Sequence, residues 1–573
     1  MKSILAPPAP ATRATAAELA VVGGRLWKSA THIGSTRWLL VATIAVGIGF
    51  RVWGIDWQLP FIVHNDEDFY AGRAIRMVRS GELNPGFFQN PQLLTYWLAA
   101  QYWVMLGVAN VLGAASGPRN LLEAFPFTTL FVIARLNSAL FGVLTLLALY
   151  RLATACYGRT AGVLAAMFLS VNLLHVRDSH FATNDVSATL FLVLATIAGW
   201  EVSRRPTLRN YLLIGVLGGL ATGVKYSMGL FFVTALVAHA LAWGRHLYFP
   251  IAVSRLLIAG LVSVAVFLAT NPYSLLDYAE FRHDFEHQVA TGAVYGYNLH
   301  QPATRVLYLL TLVQSAGIVQ VLLAGLGLGV LLLRDRRTAA LIGAFPAAYL
   351  AFMGQQELVL VRYSVPLVPF LCLFAAIGVL AIARALSGRQ RLATAATLVL
   401  VLAALAHPSA LAIEYNLVML RDDTRVLAAR WMSEHLAGRG KVIADHRAAG
   451  LTNFGASPMP GVDLRRVERT FTLDDEFDVR DIRFIAMSDH QRSRYRETAE
   501  YFEGRTLNEG QRKGVGEARR ATEFTETHVP IATFDSSTDP DPTHLTVDDY
   551  LAPFWSVGSR DRPGPTIRIY ALD

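Results

Sequence analysis

The sequence is poor in charged residues, in cysteine and in lysine. Charged side chains make up 16% of the 573 residues, whereas an average soluble domain carries about 25%. Both cysteines, Cys156 and Cys372, lie in or beside apolar segments, which excludes a disulfide framework and a cysteine zinc site. Only five of the 51 basic residues are lysine. The arginines fall mostly in short loops between apolar runs, which favours contact with anionic lipid heads and predicts no nucleic-acid partner.

Long apolar runs, in contrast, are abundant. Runs long enough to cross a bilayer recur from Trp38 to Leu411. From Glu414 onward charged residues become dense and no run of this length appears. The sequence therefore predicts an α-helical polytopic membrane protein with a soluble domain after the last span. We divide the chain into a cytoplasmic N-terminal tail (1–36), a transmembrane body (37–413) and an extracytoplasmic domain (414–573).

The apolar runs predict eleven spans and one further membrane-associated helix. The run from residue 211 to residue 243 has 33 residues, about 50 Å as a single helix, so it must be a hairpin with a turn at 222–227. Residues 94–113 are also apolar, but counting them as a crossing would reverse the side of every later loop, so we predict a juxtamembrane or re-entrant helix there. The predicted spans are 38–54, 126–150, 160–175, 186–202, 210–224, 227–243, 253–270, 306–333, 338–353, 364–383 and 392–412.

Charge asymmetry between the loops predicts their sides. Alternate loops are basic, such as those containing Arg204 with Arg205 and Arg336 with Arg337. Basic loops stay in the cytoplasm, so the intervening acidic loops face outward. Eleven spans then leave the N-terminus inside and the C-terminal domain outside. Because arginine and alanine richness is typical of a GC-rich bacterial genome, we predict a multi-pass protein of a bacterial inner (plasma) membrane.

The first outer loop carries three successive carboxylates, Asp66, Glu67 and Asp68, between His64 and Tyr70. Carboxylates beside a membrane are costly to desolvate, so they need water, cations or a polar substrate. Three of them together could hold Mg²⁺ or Mn²⁺. A solvated loop that merely follows the topology is the alternative interpretation.

The second outer loop ends at Asp185, at the outer start of a predicted span. A carboxylate at this position also interacts with the free N–H groups of the helix, so capping alone would explain its presence. Arg177 and His180 lie a few residues earlier. They could neutralise Asp185 or bind an anion together with it.

Three cations, Arg135, Lys225 and Arg362, lie near the outer ends of predicted spans. Arg135 is about 6 Å inside its helix, where an arginine is expensive unless it is paired. Its alternative role is a structural salt bridge to one of the loop carboxylates. Cations that converge beside carboxylates at the lipid–water boundary are what a lipid phosphate would require.

The order of these residues resembles the GT-C polyprenyl-phosphate-sugar-dependent glycosyltransferases, such as protein O-mannosyltransferases and aminoarabinose transferases. The likeness extends over most of residues 38–435. Each motif alone is short, but their order along the chain matches the family. The motifs are His64-Asn65-Asp66-Glu67 with Tyr70, Asn90-Pro91, Arg135, the segment 177–185, Gly223-x-Lys225, Asn271-Pro272-Tyr273, Arg362-Tyr363 and Asp423-Thr424-Arg425.

The resemblance implies a hexosyl- or pentosyltransferase that uses a polyprenyl-phosphate sugar and acts on an extracytoplasmic glycan, lipid or protein acceptor. Asp66 matches the family's general base, and the adjacent Asp68 leaves that assignment open. One base with direct displacement would invert the anomeric centre. The family does not uniformly require a metal. The implied site comprises catalytic Asp66, Glu67 (orienting the acceptor) and Asp185; donor-phosphate ligands Arg135, Lys225 and Arg362; and substrate-binding His64, Tyr70, Arg177, His180 and Tyr363.

Short apolar strands and polar helices alternate after the last span. We predict strands at 441–444, 482–487 and 566–570 and a helix at 492–502, which indicates a small α/β domain. The domain is expected to recognise the acceptor or to cover the outer cavity.

Two other functions remain open from the sequence. A transporter or lipid flippase would place its binding groups near the bilayer midplane, often in related halves, whereas here the ionisable residues gather at one face. A surface-polysaccharide polymerase or ligase would share the outer arginines, but it need not have the Asp66–Glu67 pair so soon after the first span.

Overall fold

A computed structural model describes residues 33–572, except 65, 118, 292–302, 357, 446–447, 449–458, 468–481, 490–502, 505–508, 539–548 and 550–551. Nearly all of the predicted tail, 1–36, and the whole of the predicted helix 492–502 therefore lie outside the described residues.

The body is helical, and every predicted span coincides with a helix. The run 211–243 is interrupted after Val224, where a short 3₁₀ turn, Tyr226–Phe231, begins, so the predicted hairpin turn is confirmed. The helices of the body are α1 (Ile33–Val52), α2 (Arg73–Ser80), α3 (Leu93–Val111), α4 (Leu121–Ala124), α5 (Phe127–Tyr157), α6 (Arg159–Ser170), α7 (Leu173–Asp178), α8 (Asp185–Arg204), α9 (Leu208–Val224), α10 (Phe232–Trp243), α11 (Pro250–Thr270), α12 (Tyr273–Leu276), α13 (Tyr278–Thr291), α14 (Thr304–Arg334), α15 (Arg336–Met353), α16 (Val368–Ala385) and α17 (Gln390–Met419).

Seven helical segments in the described part of the chain are long and apolar enough to cross a membrane. The protein is therefore a multi-pass membrane protein, and the full number of eleven crossings stays a prediction. Helix α3 has one face buried through Leu98 and Tyr102, whereas Val104 and Val111 on its other face are exposed. An apolar exposed face of this kind fits lipid contact.

Glycines allow two pairs of helices to approach closely. A Cβ on Gly327 of α14 would clash with the carbonyl oxygen of Phe374 in α16, and one on Gly378 would clash with that of Leu323. Helices α9 and α11 meet in the same way at Gly219. Small residues at such crossings let backbones pack directly, which is a common means of helix association in membranes.

The C-terminal part is a small α/β domain, as predicted. All three predicted strands are present as β1, β3 and β5, and two short edge strands, β2 and β4, were missed. The sheet has the order β2-β1-β3-β5-β4, with β1 parallel to β2 and β3 and with β5 antiparallel to β3 and β4. The elements are α18 (Thr424–His435), β1 (Lys441–Asp445), β2 (Asp463–Val467), β3 (Ile482–Ser488), α19 (Glu509–Thr527), β4 (Ala532–Phe534) and β5 (Ile567–Ala571).

The domain packs directly on one end of the helical body. Gln314 of α14 donates to the carbonyl of Phe554 over 3.1 Å. Arg425 at the start of α18 donates from Nη1 to the carbonyl of Val63 in the first loop over 2.9 Å. The domain therefore covers the end of the body to which the first loop also belongs.

Candidate active site

Four segments bring the charged residues of the predicted site together at one end of the bundle. They are the first loop with its helical turn at residues 66–72, the first turn of α8, the break between α9 and the following 3₁₀ turn, and the 3₁₀ turn Val361–Leu367 before α16. Each of these segments is a helix terminus or a connection, where backbone can be shaped around a ligand without interrupting a span.

Asp66 forms an ion pair with Arg362, although the two residues are almost 300 positions apart in the chain. The Nη2 of Arg362 lies 2.9 Å from Oδ2 of Asp66, and the two side chains are 15% and 24% exposed. The pair is therefore half-buried and remains open to solvent. A half-buried carboxylate with a water-facing side can accept a proton from an incoming hydroxyl group.

Asp185 and Lys225 form a second ion pair beside the first. Lys225 Nζ contacts Oδ1 of Asp185, and both side chains are largely buried. The same Nζ lies 4.8 Å from the ring centroid of Tyr363, while the Arg362 guanidinium is 5.9 Å from that ring. One aromatic ring therefore lies within cation–π distance of both cations, an arrangement that favours positive charge at this point.

Tyr363 is itself held by the body. The hydroxyl of Tyr349 in α15 donates to the carbonyl oxygen of Tyr363 over 2.8 Å. The sequence analysis did not single out Tyr349, because a tyrosine near the end of a span is also typical of the membrane–water interface.

His64 and Tyr70 line the site from the first loop. Burial raises the pKa of Tyr70 well above its usual range, and the charges of Asp66 and Asp185 raise it further. Burial lowers the pKa of His64 to about 3, aided by the charge of Arg362. Both side chains are therefore neutral at physiological pH. The His64 ring packs on Phe181 with centroids 4.5 Å apart, and Nδ1 has no hydrogen-bond partner among the described residues.

The contacts of Arg135 favour its alternative role, a structural salt bridge, over binding of the donor phosphate. Its Nε and Nη2 donate to the two carboxylate oxygens of Glu67 over 2.7 and 2.8 Å, and both side chains are fully buried. Its Nη1 donates to the carbonyls of Ile55 and Trp57. These contacts occupy the guanidinium, so the geometry gives Arg135 no route to a donor phosphate. The salt-bridge alternative describes it better.

The same contacts favour a structural role for Glu67 over the predicted orientation of the acceptor. Besides binding Arg135, its Oε1 accepts a hydrogen bond from the backbone N–H of Ala182 over 3.0 Å. Both oxygens of this fully buried carboxylate are therefore engaged by protein groups. Glu67 instead ties the first loop to the segment before α8.

Arg177 and His180 also bind protein groups rather than join the charged cluster. Arg177 is paired with Asp178 at 3.0 Å and donates to the carbonyl of Ala552 in the C-terminal domain. Both ring nitrogens of His180 face backbone carbonyls, those of Val176 and Trp53. Their predicted contact with substrate has no support in this geometry.

The carboxylates of the first loop diverge. Asp66 pairs with Arg362, Glu67 with Arg135 and Asp68 with Arg76. Within the described ranges, no group of three or more His, Cys, Asp or Glu side chains is arranged to hold a metal ion. The predicted Mg²⁺ or Mn²⁺ site in this loop is therefore not supported.

An apolar groove of about 790 Å³ between α14, α15 and α16 was not predicted. It runs along α14 from Leu312 to Leu332, roughly 30 Å at the rise of a helix, which matches the hydrocarbon thickness of a bilayer. The end of the groove at Leu312, here called its upper end, also includes Leu367, the last residue of the turn that carries Arg362. The small residues Gly343 and Ala340 on its wall were the available sequence signal.

Comparison with known proteins gives a family-model match over part of the chain and a similar fold. Residues 127–273 match the family model described as dolichyl-phosphate-mannose-protein mannosyltransferase. A search of curated protein sequences gave no match. The oligosaccharyltransferase of Archaeoglobus fulgidus, tethered to an acceptor peptide, is similar in structure with a TM-score of 0.51 and 12% identity, over 85% of this chain and 72% of that chain.

A second similar structure is ArnT from Cupriavidus metallidurans bound to undecaprenyl phosphate. Its TM-score is 0.45 at 16% identity, over 80% of this chain and 94% of that chain. A score at this level carries no weight of its own. The family model thus matches one part of the chain, residues 127–273, and the archaeal enzyme shares the fold of this chain.

Proposed function

We propose that the chain transfers a monosaccharide from a polyprenyl-phosphate donor to a hydroxyl group of an extracytoplasmic acceptor, with Asp66 as the general base. The observation that carries the proposal is the pairing of Asp66 with Arg362 next to the Asp185–Lys225 pair. A candidate base and two cations thus lie side by side, as a displacement at a glycosyl phosphate requires.

In the proposed reaction, the acceptor oxygen forms a bond to the anomeric carbon while the bond from that carbon to the phosphate oxygen breaks. The proton of the acceptor hydroxyl moves to the carboxylate of Asp66. The polyprenyl phosphate leaves with the added negative charge on its oxygen, and Lys225 and Arg362 stabilise that charge. A single displacement of this kind inverts the anomeric centre.

The apolar groove supports a lipid-linked donor rather than a soluble one. Its walls are aliphatic and aromatic over roughly the thickness of the hydrocarbon core, and its upper end lies at the turn that carries Arg362. A polyprenyl chain in the groove would place its phosphate beside the two cations. The lipid chain of the donor would then be held by the groove and its phosphate by the adjoining cations, which restricts the donor to one orientation.

The proposal is tested with purified protein in lipid nanodiscs and a panel of polyprenyl-phosphate hexoses and pentoses, with cell-envelope glycans, lipids and proteins as acceptors. Mass spectrometry would follow both the glycosylated acceptor and the released polyprenyl phosphate. We expect one donor to be consumed, and the panel thereby identifies the sugar. Movement of a solute or lipid across the membrane without donor consumption would support a transporter instead.

Asp66→Asn is the decisive variant, and Asp68→Asn is its matched control. The substitution at Asp66 is expected to lower kcat by at least about 100-fold, because loss of a positioned base typically costs 10²–10⁴ in rate. Asp68 pairs with Arg76 at the surface, so its substitution should change kcat less than about threefold. The reverse result, with an inactive Asp68→Asn and an active Asp66→Asn, would transfer the role of base to Asp68.

A further inference from the structure

A buried ion pair links the C-terminal domain to the loop that carries Asp66. Arg425, at the start of α18, donates from Nε to Oδ1 of Asp423 over 2.8 Å and from Nη2 to Oδ2 over 2.7 Å. Its Nη1 donates to the carbonyl oxygen of Val63 over 2.9 Å. Arg425 and Asp423 are 1% and 0% exposed, so the pair is isolated from solvent and is fixed in a bidentate geometry.

Val63 lies three residues before Asp66. No more than about 10 Å of chain therefore separates the carbonyl that Arg425 holds from the carboxylate that we assign as the base. The helical turn that presents Asp66 begins immediately after this short link. A shift of the Val63 carbonyl would therefore pass directly to the position of Asp66.

The Asp423–Arg425 pair is also held by a later segment of the C-terminal domain, residues 563–565. Thr424, between the two charged residues, donates from its backbone N–H to the carbonyl of Pro563 over 3.1 Å and from Oγ1 to that of Pro565 over 2.6 Å. Gly564 between the prolines has φ +93°, and a Cβ there would clash with Thr424 and Asp423. The segment 563–565, which leads into β5, is thus packed against the pair without intervening side chains.

A second connection runs along the rim of the same contact. The side-chain amide of Gln58 in the first loop donates to the carbonyl of Arg421 over 2.8 Å, and its Oε1 accepts from the backbone N–H of Asp423 over 3.1 Å. The first loop is therefore joined to the start of the C-terminal domain at two points, one exposed and one buried.

We propose that Asp423 and Arg425 are positioning residues for the reaction: through them the C-terminal domain sets the position of the first loop and of Asp66. The inference rests on the proposed role of Asp66. The domain is then part of the catalytic apparatus and cannot act only as an acceptor-binding attachment.

The proposed role differs from simple stabilisation in a measurable way. Arg135 independently holds the first loop through the carbonyls of Ile55 and Trp57, so the loop would stay attached to the body after loss of Arg425. A displacement of about 1 Å is enough to reduce a reaction rate by about 100-fold. Neither the described lining of the groove nor the Asp185–Lys225 pair includes Asp423 or Arg425, so the donor KM should change little.

The test compares Arg425→Met, the double variant D423N/R425M and Arg430→Met. Arg425→Met leaves the carboxylate of Asp423 buried without its partner, which would lower thermal stability. The double variant removes that unpaired charge and should regain most of the lost stability. Arg430 lies on the same helix and pairs with Asp422 at the surface, so its substitution is the matched control and should leave kcat unchanged.

The expected result is a double variant that melts near the wild-type temperature, keeps the donor KM within about twofold and loses about 10–100-fold in kcat. Wild-type kcat in D423N/R425M would overturn the proposal. If the double variant does not fold, Gln58→Met decides: a loss of about fivefold in kcat, the equivalent of about one hydrogen bond, supports the positioning role, and unchanged kcat overturns it.

Asp66→Asn, measured in parallel, separates the two proposals. If Asp66→Asn is inactive and D423N/R425M is fully active, the proposed function stands and the positioning role fails. If Asp66→Asn is fully active, the assignment of the base fails whatever the behaviour of the Arg425 variants.

Discussion

Replacing Arg135 by methionine is expected to destabilise the protein far more than replacing a surface arginine. The change would leave the carboxylate of Glu67 fully buried with only the N–H of Ala182 as a partner. Removing one member of a buried ion pair costs about 3–5 kcal/mol. The carbonyls of Ile55 and Trp57 would also lose a donor, at about 1–3 kcal/mol each where no water can replace it.

The loss is a large share of a typical folding free energy of about 5–15 kcal/mol. Thermal and denaturant-induced unfolding in detergent micelles would measure it, with Glu67→Gln and the double variant E67Q/R135M completing a double-mutant cycle. We expect a coupling energy of at least about 2 kcal/mol between the two positions, because each charge is unfavourable without the other. The double variant should therefore be more stable than Arg135→Met alone.

The reasoning would be refuted by an Arg135→Met variant that keeps wild-type stability and has a strongly raised donor KM. That outcome would return Arg135 to the phosphate-binding set, as the sequence interpretation had it. Surface-exposed Arg282, which pairs with Glu286 on α13, provides the control. Its substitution by methionine should change the unfolding free energy by less than about 1 kcal/mol.

Three further predictions concern the donor site, the groove and the first loop. Lys225→Met should lower kcat/KM by at least about 10-fold through loss of a phosphate contact, measured in the transfer assay. Gly343→Trp should fill part of the apolar groove and raise the KM for long polyprenyl donors more than for short-chain analogues. Because the pKa of His64 falls from about 6.5 in the unfolded chain to about 3 in the folded one, its contribution to stability is present above pH 6.5 and is lost as the pH falls toward 3. The melting temperature of His64→Gln should therefore decrease less than that of the wild type between pH 7.5 and pH 5.

The helical body could be predicted almost completely from the sequence. A membrane span needs a run of apolar residues whatever it packs against, so the local sequence alone indicates the position of each spanning helix. The same holds for the strands β1, β3 and β5, which are apolar and lie inside the sheet. Edge strand β2 was missed because a strand with a neighbour on one side only can be polar, and Asp463–Val467 has the composition of a charged loop. Edge strand β4 was missed because it has only three residues, Ala532–Phe534.

The candidate site was predicted in outline, but not in its pairings. The sequence indicated that carboxylates and cations would meet, yet it could not show that Arg135 binds Glu67 while Arg362 binds Asp66. Which partner an arginine takes depends on the approach of segments more than 60 residues apart, and no local pattern encodes that. The contact of Arg177 with Ala552 joins parts of the chain 375 residues apart. It is equally invisible in the local sequence, which predicted a substrate ligand at Arg177.

The apolar groove and the pair Asp423–Arg425 depend entirely on tertiary structure. The groove forms where the side chains of three helices do not fill the space between them. Glycine and alanine in a span do not predict such a groove, because they more often permit close packing of helices. The Asp423-Thr424-Arg425 segment was part of the family resemblance, but its contact with Val63 depends on how the domain packs on the body.

The two adjacent ion pairs make the formal charges of Asp66, Asp185, Lys225 and Arg362 sum to zero. A free anion from solution, such as sulfate or a nucleotide, thus gains little by entering the empty site, because each cation already has a partner. A phosphate tethered to a chain in the groove competes differently, since the tether supplies a high effective concentration at the cations. The site would then distinguish lipid-linked phosphates from soluble phosphates because its four paired charges sum to zero. The shape of a phosphate pocket would not be needed for this selectivity.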